Sequence, residues 1–217
     1  MPLLIFANGK LDEVEWIRPF LAQATAVWAA NGGSGHLFRL NHLPDKMIGD
    51  MDSLETAVQE WLTAGHVPIE RHPIAKDETD LELALLLAAH QEEEIWLFGA
   101  LGGRLDQTLA NIFLLSLPAL ANHVVKLMTP TEQAWLVRGQ TEIVGQVGQT
   151  VSLIPLSGEV HIAKTTGLQW PLQDETLLFG QARGISNRLT AEKATVTVAS
   201  GLLLCIQTMV YENRSFL

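Results

Sequence analysis

The sequence predicts an α/β N-terminal domain, with a mostly parallel sheet flanked by helices, and a C-terminal all-β domain that resembles a sandwich. Over residues 1–128, short apolar runs alternate with amphipathic stretches, which is typical of parallel strands joined by helices. Over residues 129–217, helical periodicity is absent and short β-rich segments are separated by turn signals. We place the boundary between the domains near residues 128–131, where the pattern changes.

The first domain is predicted to alternate strands with helices. The predicted strands are residues 3–7, 24–30, 46–48, 67–71, 95–98 and 124–128. The predicted helices are residues 12–21, 54–64, 80–89 and 107–117. In the second of these helices, apolar residues recur at i, i+3, i+4 and i+7, which predicts one buried face. Thr79-x-x-Glu82 has the form of a capping box, which predicts that the third helix begins at Asp80.

The second domain is predicted to contain strands alone. The predicted strands are residues 134–137, 141–144, 150–155, 160–165, 176–179, 194–198 and 202–208. The turn signals between them include Ser157-Gly158 and Ser200-Gly201.

Composition excludes several classes of protein. The chain has 217 residues, 47% of them apolar and 18% charged, as expected of a globular protein with a sizeable core. Its net charge of −10 argues against a general nucleic-acid binder, although a divalent metal would still allow an acidic cleft to bind a nucleotide. Cys205 is the only cysteine, so no intrachain disulfide forms, and its apolar neighbours predict a buried residue.

Neither a secretory signal nor a membrane span is predicted. The N-terminus has no basic segment before its apolar run, which we interpret as the first strand. Residues 107–125 carry no formal charge, but their polar residues and Pro118 predict a buried helix followed by a turn. We therefore expect a cytoplasmic protein.

The turn Gly49-Asp50-Met51-Asp52-Ser53 follows the predicted strand 46–48 directly. Asp50 and Asp52 stand two residues apart, so in an extended turn both carboxylates can point to the same side and bind a metal. The alternative is that Asp52 or Ser53 only caps the helix that follows.

Two further acid-rich turns lie between residues 76 and 106. Lys76-Asp77-Glu78-Thr79-Asp80 brings a cation and acids to a helix start, which suits phosphate with its metal, although a solvated helix start is the alternative. In Gly99-Ala100-Leu101-Gly102-Gly103-Arg104-Leu105-Asp106, paired glycines allow close backbone approach, and Arg104 offers a planar fork for phosphate oxygens. The alternative for Arg104 is a structural ion pair with a nearby acid.

A glycine-rich segment, Asn31-Gly32-Gly33-Ser34-Gly35, follows the predicted strand 24–30. It lacks the G-x-G-x-x-G spacing of a dinucleotide fingerprint, and the chain has no Walker A motif. Both a phosphate- or ribose-contacting turn and a plain loop remain possible for it. Carboxylates at the ends of neighbouring strands would face one cleft, so the turns together predict a site for a magnesium-bound polyphosphate.

Five ordered motifs, spread over most of the chain, resemble those of the thiamine pyrophosphokinase family. In the first domain they are Pro44-Asp45-Lys46-Met47-Ile48-Gly49-Asp50-Met51-Asp52-Ser53, Asp77-Glu78-Thr79-Asp80 and Gly102-Gly103-Arg104-Leu105-Asp106-Gln107. In the second they are Thr165-Thr166-Gly167-Leu168-Gln169-Trp170-Pro171-Leu172, and Phe179-Gly180 followed by Ser186-Asn187. The chain departs from the family in having Asn31-Gly32-Gly33-Ser34 where "D-G-G-A" is usual, which removes one acid, and Met51 where an aromatic is usual.

The resemblance implies transfer of a diphosphate from ATP to the primary hydroxyl of thiamine, giving AMP and thiamine diphosphate, with Mg²⁺ as cofactor. It implies an ATP-binding domain at residues 1–128 and a thiamine-binding domain at residues 129–217. It also implies a homodimer, with thiamine bound where the sheet domain of one chain meets the α/β domain of the other. Nucleic acid and membrane are not among the expected partners.

The resemblance also assigns residues to roles. Those expected to bind metal and act in catalysis are Asp50, Asp52, Asp80 and Asp106, with Asp77 as a weaker fifth. Those expected to contact the nucleotide are Asn31, Gly32, Gly33, Lys76, Asp77, Gly102, Gly103 and Arg104. Ser186 and Asn187 would reach the aminopyrimidine of thiamine, and Trp170 would line its pocket, with a place in the β-rich core as the alternative for Trp170.

Two other functions are compatible with the pattern. A pyrophosphokinase acting on another alcohol, such as a hydroxymethylpterin, would share the acidic turns and differ in the β-rich pocket. A non-catalytic sensor of thiamine would fit the missing acid at Asn31, but it would not need the remaining acids.

Overall fold

A computed structural model describes residues 1–51, 54–71, 77–91 and 94–209 as two compact units, Met1–Thr129 and Pro130–Leu217. The first unit is α/β and the second is all-β, so the predicted fold class is confirmed. In the described part of the chain, no helix has the length and apolar character that a membrane crossing needs.

The first unit contains six strands, with helices in the connections. The strands are β1 (Leu3–Phe6), β2 (Ala26–Ala30), β3 (Lys46–Ile48), β4 (Ile69–Glu70), β5 (Glu94–Phe98) and β6 (Val124–Met128). The α-helices are α1 (Arg18–Leu21), α2 (Ser34–Arg39), α3 (Thr56–Ala64), α4 (Asp80–Ala88) and α5 (Leu105–Leu114). Short 3₁₀ turns lie at Glu15–Ile17, Asn31–Gly33 and Pro118–Leu120.

These six strands run in the order β6-β5-β1-β2-β3-β4, and all five neighbouring pairs are parallel. Strand β1, Leu3-Leu4-Ile5-Phe6, has no exposed residue, as expected of a central parallel strand covered on both faces. The chain builds the sheet outwards from β1 to β4 and then returns to add β5 on the other side of β1. The order of strands therefore reverses between β1 and β5.

Capping and turn chemistry explain where two of the helices begin and end. At the start of α4, the backbone N–H of Glu82 donates to Oγ1 of Thr79 at 3.1 Å, so the predicted helix start at Asp80 is confirmed. Helix α3 buries Val58 and Leu62, and it ends at Gly65, whose N–H donates to the carbonyl of Trp61.

Two regions differ from the prediction. The helix predicted over residues 12–21 is a 3₁₀ turn followed by the single turn of α1, because Pro19 has no N–H and fits only the first turn of a helix. Residues 31–35 were predicted as a turn or loop, and no helix was predicted there, because the three glycines of this segment lower its helix propensity; in the structure, Ser34 and Gly35 begin helix α2. Burial of Leu37 in the core favours the helix despite that propensity.

The second unit consists of two antiparallel sheets. The strands are β7 (Glu132–Val137), β8 (Gln140–Val144), β9 (Thr150–Pro155), β10 (Glu159–Thr166), β11 (Gln173–Leu178), β12 (Asn187–Arg188), β13 (Lys193–Ser200) and β14 (Leu203–Thr208). One sheet has the order β12-β9-β14-β7 and the other β11-β10-β13-β8. Residues from both sheets, such as Leu153 and Ile162, form one buried cluster, as in a sandwich.

Cys205 lies on β14 within this buried cluster and is fully buried. Burial raises the pKa of its thiol, because a thiolate would be poorly solvated there. The prediction of a core cysteine is confirmed, and a nucleophilic role is excluded on this chemistry.

Candidate active site

The turns that follow β1 and β5 are held side by side at the carboxyl edge of the parallel sheet. The N–H of Ala7 donates to the carbonyl of Phe98 at 2.8 Å, and the N–H of Gly9 donates to the carbonyl of Gly99 at 2.6 Å. Ligands of open α/β sheets bind outside the carboxyl ends of the strands at the point where strand order reverses. That point is the one between these two turns.

The segment after β2 packs tightly against the end of β1. A Cβ on Gly33 would lie 1.9 Å from the carbonyl oxygen of Phe6, and one on Gly32 would lie 2.3 Å from the side chain of Asn8. Only glycine permits so close an approach between the two segments. The glycine-rich segment is therefore a turn that packs closely against the end of β1 and leads into α2, and not a plain loop.

Asp50, which follows β3, contacts the same segment. The side-chain Nδ2 of Asn31 donates to Oδ1 of Asp50 at 2.9 Å, and Asn31 is only 7% exposed. Gly49, at φ 143°, allows this contact, because a Cβ there would lie 2.8 Å from Cβ of Asn31. The structure thus brings together two residues that were predicted to serve different roles.

Asp80 is the first residue of α4 and is half-buried, whereas Asp77 is exposed. Helix α4 packs against β2 and β3. Since it follows a parallel strand, its N-terminus lies at the carboxyl edge of the sheet. Two further predicted site residues, Asp52 and Lys76, lie outside the described residues, as does Ser53.

Arg104 and Asp106 are paired with each other at the start of α5. Nε of Arg104 lies 3.1 Å from Oδ1 of Asp106, and Nη2 lies 2.6 Å from Oδ2. This hydrogen-bonded guanidinium, aided by the N–H of Gln107, holds the pKa of Asp106 below its ordinary value. Both side chains are well exposed, at 71% and 65%, so the ion pair is weak and Arg104 can release it to bind an anion.

Gly102 and Gly103 precede this pair, both with positive φ. Lys10, after β1, lies beside Gly102, and its ammonium pairs with Asp12 at 3.0 Å in an exposed ion pair. The turn Asn8-Gly9-Lys10, which lies against Gly32 and Gly102, was not among the predicted site residues. The available signal was a glycine turn directly after a wholly apolar strand.

The predicted acids do not form a preassembled metal centre in the described part of the chain. There, no three Asp, Glu, His or Cys side chains approach closely enough to hold one ion. Carboxylates repel one another without a cation, and Asp106 is turned toward Arg104. The donors nevertheless fit Mg²⁺, because carboxylate oxygens and the carbonyl Oδ1 of Asn31, which accepts no hydrogen bond from a described residue, are hard ligands.

In the second unit, Asn187 is almost fully buried and clamps the backbone of Trp170. Its Oδ1 accepts the N–H of Trp170 at 3.0 Å, and its Nδ2 donates to the carbonyl of the same residue at 2.7 Å. Trp170 is 54% exposed, so the alternative of a core tryptophan is wrong. Ser186 is exposed beside Asn187 with φ 59°, and its N–H donates to Oγ of Ser152 at 3.0 Å.

His36 lies on α2 beneath the turns after β1 and β5. Its ring Nε2 lies 3.0 Å from the carbonyl oxygen of Gly9, which can only accept, so Nε2 carries the proton. Burial lowers the pKa of His36, and the charge of Arg39 lowers it further, against the opposing effect of hydrogen bonds to the carbonyls of Gly9 and Ala7. His36 is therefore a neutral structural donor.

Comparison with known proteins matches both units to one family. Residues 17–127 match the model "Thiamin pyrophosphokinase, catalytic domain", and residues 140–203 match "Thiamin pyrophosphokinase, vitamin B1 binding domain". The chain belongs to the thiamine pyrophosphokinase family.

Relatives and solved structures agree with this assignment. The thiamine pyrophosphokinase of Bacillus subtilis is 27% identical over 207 residues, which cover 94% of this chain and 97% of the relative. Thiamine pyrophosphokinase 3 of rice, Oryza sativa, is 30% identical over 75% of this chain and 64% of the relative. The B. subtilis crystal structure superposes with a TM-score of 0.87 at 25% identity, covering 97% and 100% of the two chains. The yeast enzyme shares the fold, with a TM-score of 0.84 at 19% identity over 100% of this chain and 89% of the other.

Ser34 generates the first prediction. Its side chain is fully buried, and Oγ has no hydrogen-bond partner among the described residues, so the hydroxyl is desolvated without compensation. We expect Ser34→Ala to raise the free energy of unfolding by about 1 kcal/mol, measured by urea denaturation. As a control, Thr165→Val removes a buried hydroxyl that is hydrogen-bonded to Leu172 and should destabilise the protein. A destabilised Ser34→Ala variant would show that Oγ has a partner.

His36 predicts a pH dependence of stability. Its pKa is lower in the folded state than its ordinary value of 6.5, so the unfolded chain binds more protons between those two values. The contribution of His36 is therefore complete above about pH 6.5 and decreases as the pH falls below it.

The measurement is the urea concentration at the unfolding midpoint as a function of pH between pH 5.5 and 7.5. His36→Gln, which keeps a side-chain donor but has no titrating group, should show a smaller change of this midpoint with pH than the wild type. The matched variant His90→Gln, at an exposed position, should keep the wild-type slope. Equal slopes in His36→Gln and wild type would contradict the assignment of His36 as a part-buried neutral group.

Proposed function

We propose that this protein transfers a diphosphate from ATP to the hydroxyl of thiamine, giving thiamine diphosphate and AMP. The observation that carries the proposal is the match of each unit to its own half of the family, catalytic and vitamin B1-binding. The carboxylate and glycine turns lie in the unit that matches the catalytic domain.

The proposed reaction is a single displacement at the β-phosphorus of ATP. The thiamine hydroxyl oxygen forms a bond to that phosphorus, and the bond to the oxygen bridging the α- and β-phosphates breaks. AMP leaves with the bridging oxygen, and the β- and γ-phosphates move together. The hydroxyl proton passes to a carboxylate at the carboxyl edge of the sheet. Because the phosphate oxygens carry charge throughout, positioning and electrostatic stabilisation supply most of the catalysis.

The ATP side of the proposal rests on the turns at the carboxyl edge of the sheet. Residues assigned to the nucleotide are Asn31, Gly32, Gly33, Lys76, Asp77, Gly102, Gly103 and Arg104, to which the structure adds Lys10 as a candidate. In support, Arg104 and Lys10 are held by exposed ion pairs, which polyphosphate oxygens can displace.

Mg²⁺ is part of the proposal, with Asp50, Asp52, Asp80 and Asp106 as the residues that would hold it. When bound, it would neutralise charge on the phosphate oxygens and orient them. Asp50 and Asp80 support this role because both follow the carboxyl ends of strands and supply the oxygen ligands that Mg²⁺ prefers.

The thiamine side is assigned to Trp170, Ser186 and Asn187. Thiamine carries a cationic ring, and an exposed indole face attracts such a ring by cation–π interaction. Since Asn187 already binds both backbone groups of Trp170, its main role in the proposal is to hold the indole in place. Ser186, with its side chain exposed beside this clamp, is the candidate for a direct hydrogen bond to the aminopyrimidine.

A homodimer and a cytoplasmic setting complete the proposal. Helix α5 presents Leu105, Leu109 and Phe113, spaced four residues apart on one face and exposed by 72%, 45% and 50%. Exposed apolar stripes of this kind mark protein interfaces, which supports a second copy of the chain as the partner. A cytoplasmic setting is supported by the need for ATP.

Asp50→Asn tests the function directly. It replaces a charged carboxylate oxygen, which would bind the metal, with a neutral amide of the same shape. Turnover should therefore fall by about 10²-fold or more while the fold is retained. The measurement is AMP and thiamine diphosphate, quantified by mass after incubation with ATP, Mg²⁺ and thiamine. Asp174→Asn, at an exposed position with φ 53°, is the matched control and should keep wild-type activity. Wild-type turnover in Asp50→Asn would remove Asp50 from the mechanism.

The dimer is tested through the α5 stripe. Glutamate at Leu109 and Phe113 would place charge in an apolar interface, so the double variant should be monomeric by light scattering at concentrations where the wild type is dimeric. Gln91→Glu adds a charge at an exposed position outside α5 and should leave the dimer intact. A dimeric double variant would show that α5 lies outside the interface.

A further inference from the structure

The contact between Asn31 and Asp50 has a fixed geometry. The backbone of Asn31 is left-handed, with φ 41°, a conformation that Asn and Asp adopt more readily than other side chains. Gly49 approaches so closely that a Cβ there would lie 2.8 Å from Cβ of Asn31. With more than nine-tenths of Asn31 buried, its side chain has little freedom to turn away from Asp50.

The orientation of the Asn31 amide is set by charge. If Oδ1 faced Asp50, two acceptor oxygens would lie at the 2.9 Å now spanned by a hydrogen bond. The amide therefore directs Nδ2 to the carboxylate. As a result, Oδ1 of Asn31 is buried without a hydrogen-bond donor from any described residue. Leaving a buried carbonyl unpaired is costly, so the bond to Asp50 must outweigh that cost.

We propose that Asn31 is a positioning residue, a neutral donor that holds the Asp50 carboxylate in place without a bound cation. The inference rests on the proposed function only in giving Asp50 a role at the site. A charge-assisted hydrogen bond from an amide satisfies one carboxylate oxygen and fixes its direction. The site is therefore ordered around Asp50 before metal or nucleotide arrives.

An acid at position 31 would reverse this arrangement. Two carboxylates would then face each other over the same short distance, and like charges at that separation destabilise the fold unless a cation lies between them. With aspartate at position 31, stability should therefore depend on Mg²⁺, whereas in this chain the Asn31–Asp50 pair is stable without it.

The experiment compares melting temperatures in chelator and in excess Mg²⁺. Relative to wild type, Asn31→Asp should melt about 4–8 °C lower in chelator and recover most of that difference in Mg²⁺. The exchange variant Asn31→Asp with Asp50→Asn restores one donor and one carboxylate, so it should melt within about 2 °C of wild type in chelator. A purely steric role for Asn31 would not predict that rescue.

Asn41→Asp is the matched control for the added charge. Asn41 also has a left-handed backbone, with φ 49°, but it is exposed, so the change should not create a dependence on Mg²⁺. The proposal is overturned if Asn31→Asp has the same melting temperature as the wild type in chelator. It is also overturned if, in chelator, the exchange variant is no more stable than Asn31→Asp alone.

These outcomes are separable from the proposed function, because melting needs no turnover. If the protein makes no thiamine diphosphate but shows the predicted rescue, the positioning role of Asn31 stands and the proposed reaction is wrong. If the protein is active but shows no rescue, the proposed reaction stands and the positioning role is wrong.

Discussion

The parallel alignment of the six strands in the first unit is the constraint on which the site depends. Because all neighbouring strands run in the same direction, the turns after β1, β2, β3 and β5 lie at the same edge of the sheet. Acids, glycines and cations that are far apart in sequence thereby become neighbours. Gly33 packs against β1 and Gly49 against Asn31 so closely that neither position has room for a Cβ, and these contacts fix the spacing of the turns.

Much of this arrangement could be predicted from the sequence. The continuous apolar run of β1 and the capping pattern at Thr79 each carry a strong local signal, and the structure confirms both elements. Helix α2 and the broken helix before β2 were missed. Burial of Leu37 favours α2 despite the nearby glycines, so packing overrode a local pattern there. Before β2, Pro19 is itself a local signal against a continuous helix, and the prediction did not use it.

The site was less predictable than the fold, because side-chain pairing depends on contacts between distant segments. No local pattern shows that Asn31 donates to Asp50 or that Asn187 binds the backbone of Trp170, whereas the ion pair of Arg104 with Asp106, two residues away, was among the alternatives that the sequence left open. In each case two residues that were predicted to contact ligand also contact each other. Such pairing gives the charged side chains partners in the absence of substrate, and the exposed ion pair of Arg104 with Asp106 is weak enough to exchange for ligand contacts.

In the proposed reaction, diphosphate leaves ATP at the carboxyl edge of the parallel sheet. The most direct measurement is a crystal structure with Mg²⁺, thiamine and an ATP analogue whose α–β bridge is a methylene group. We expect the β-phosphate to lie beside the turns after β1 and β5, with a metal ion coordinated by an oxygen of Asp50. A nucleotide bound elsewhere, with Asp50 still bonded to Asn31 and no metal near it, would show that the reaction does not take place at this edge.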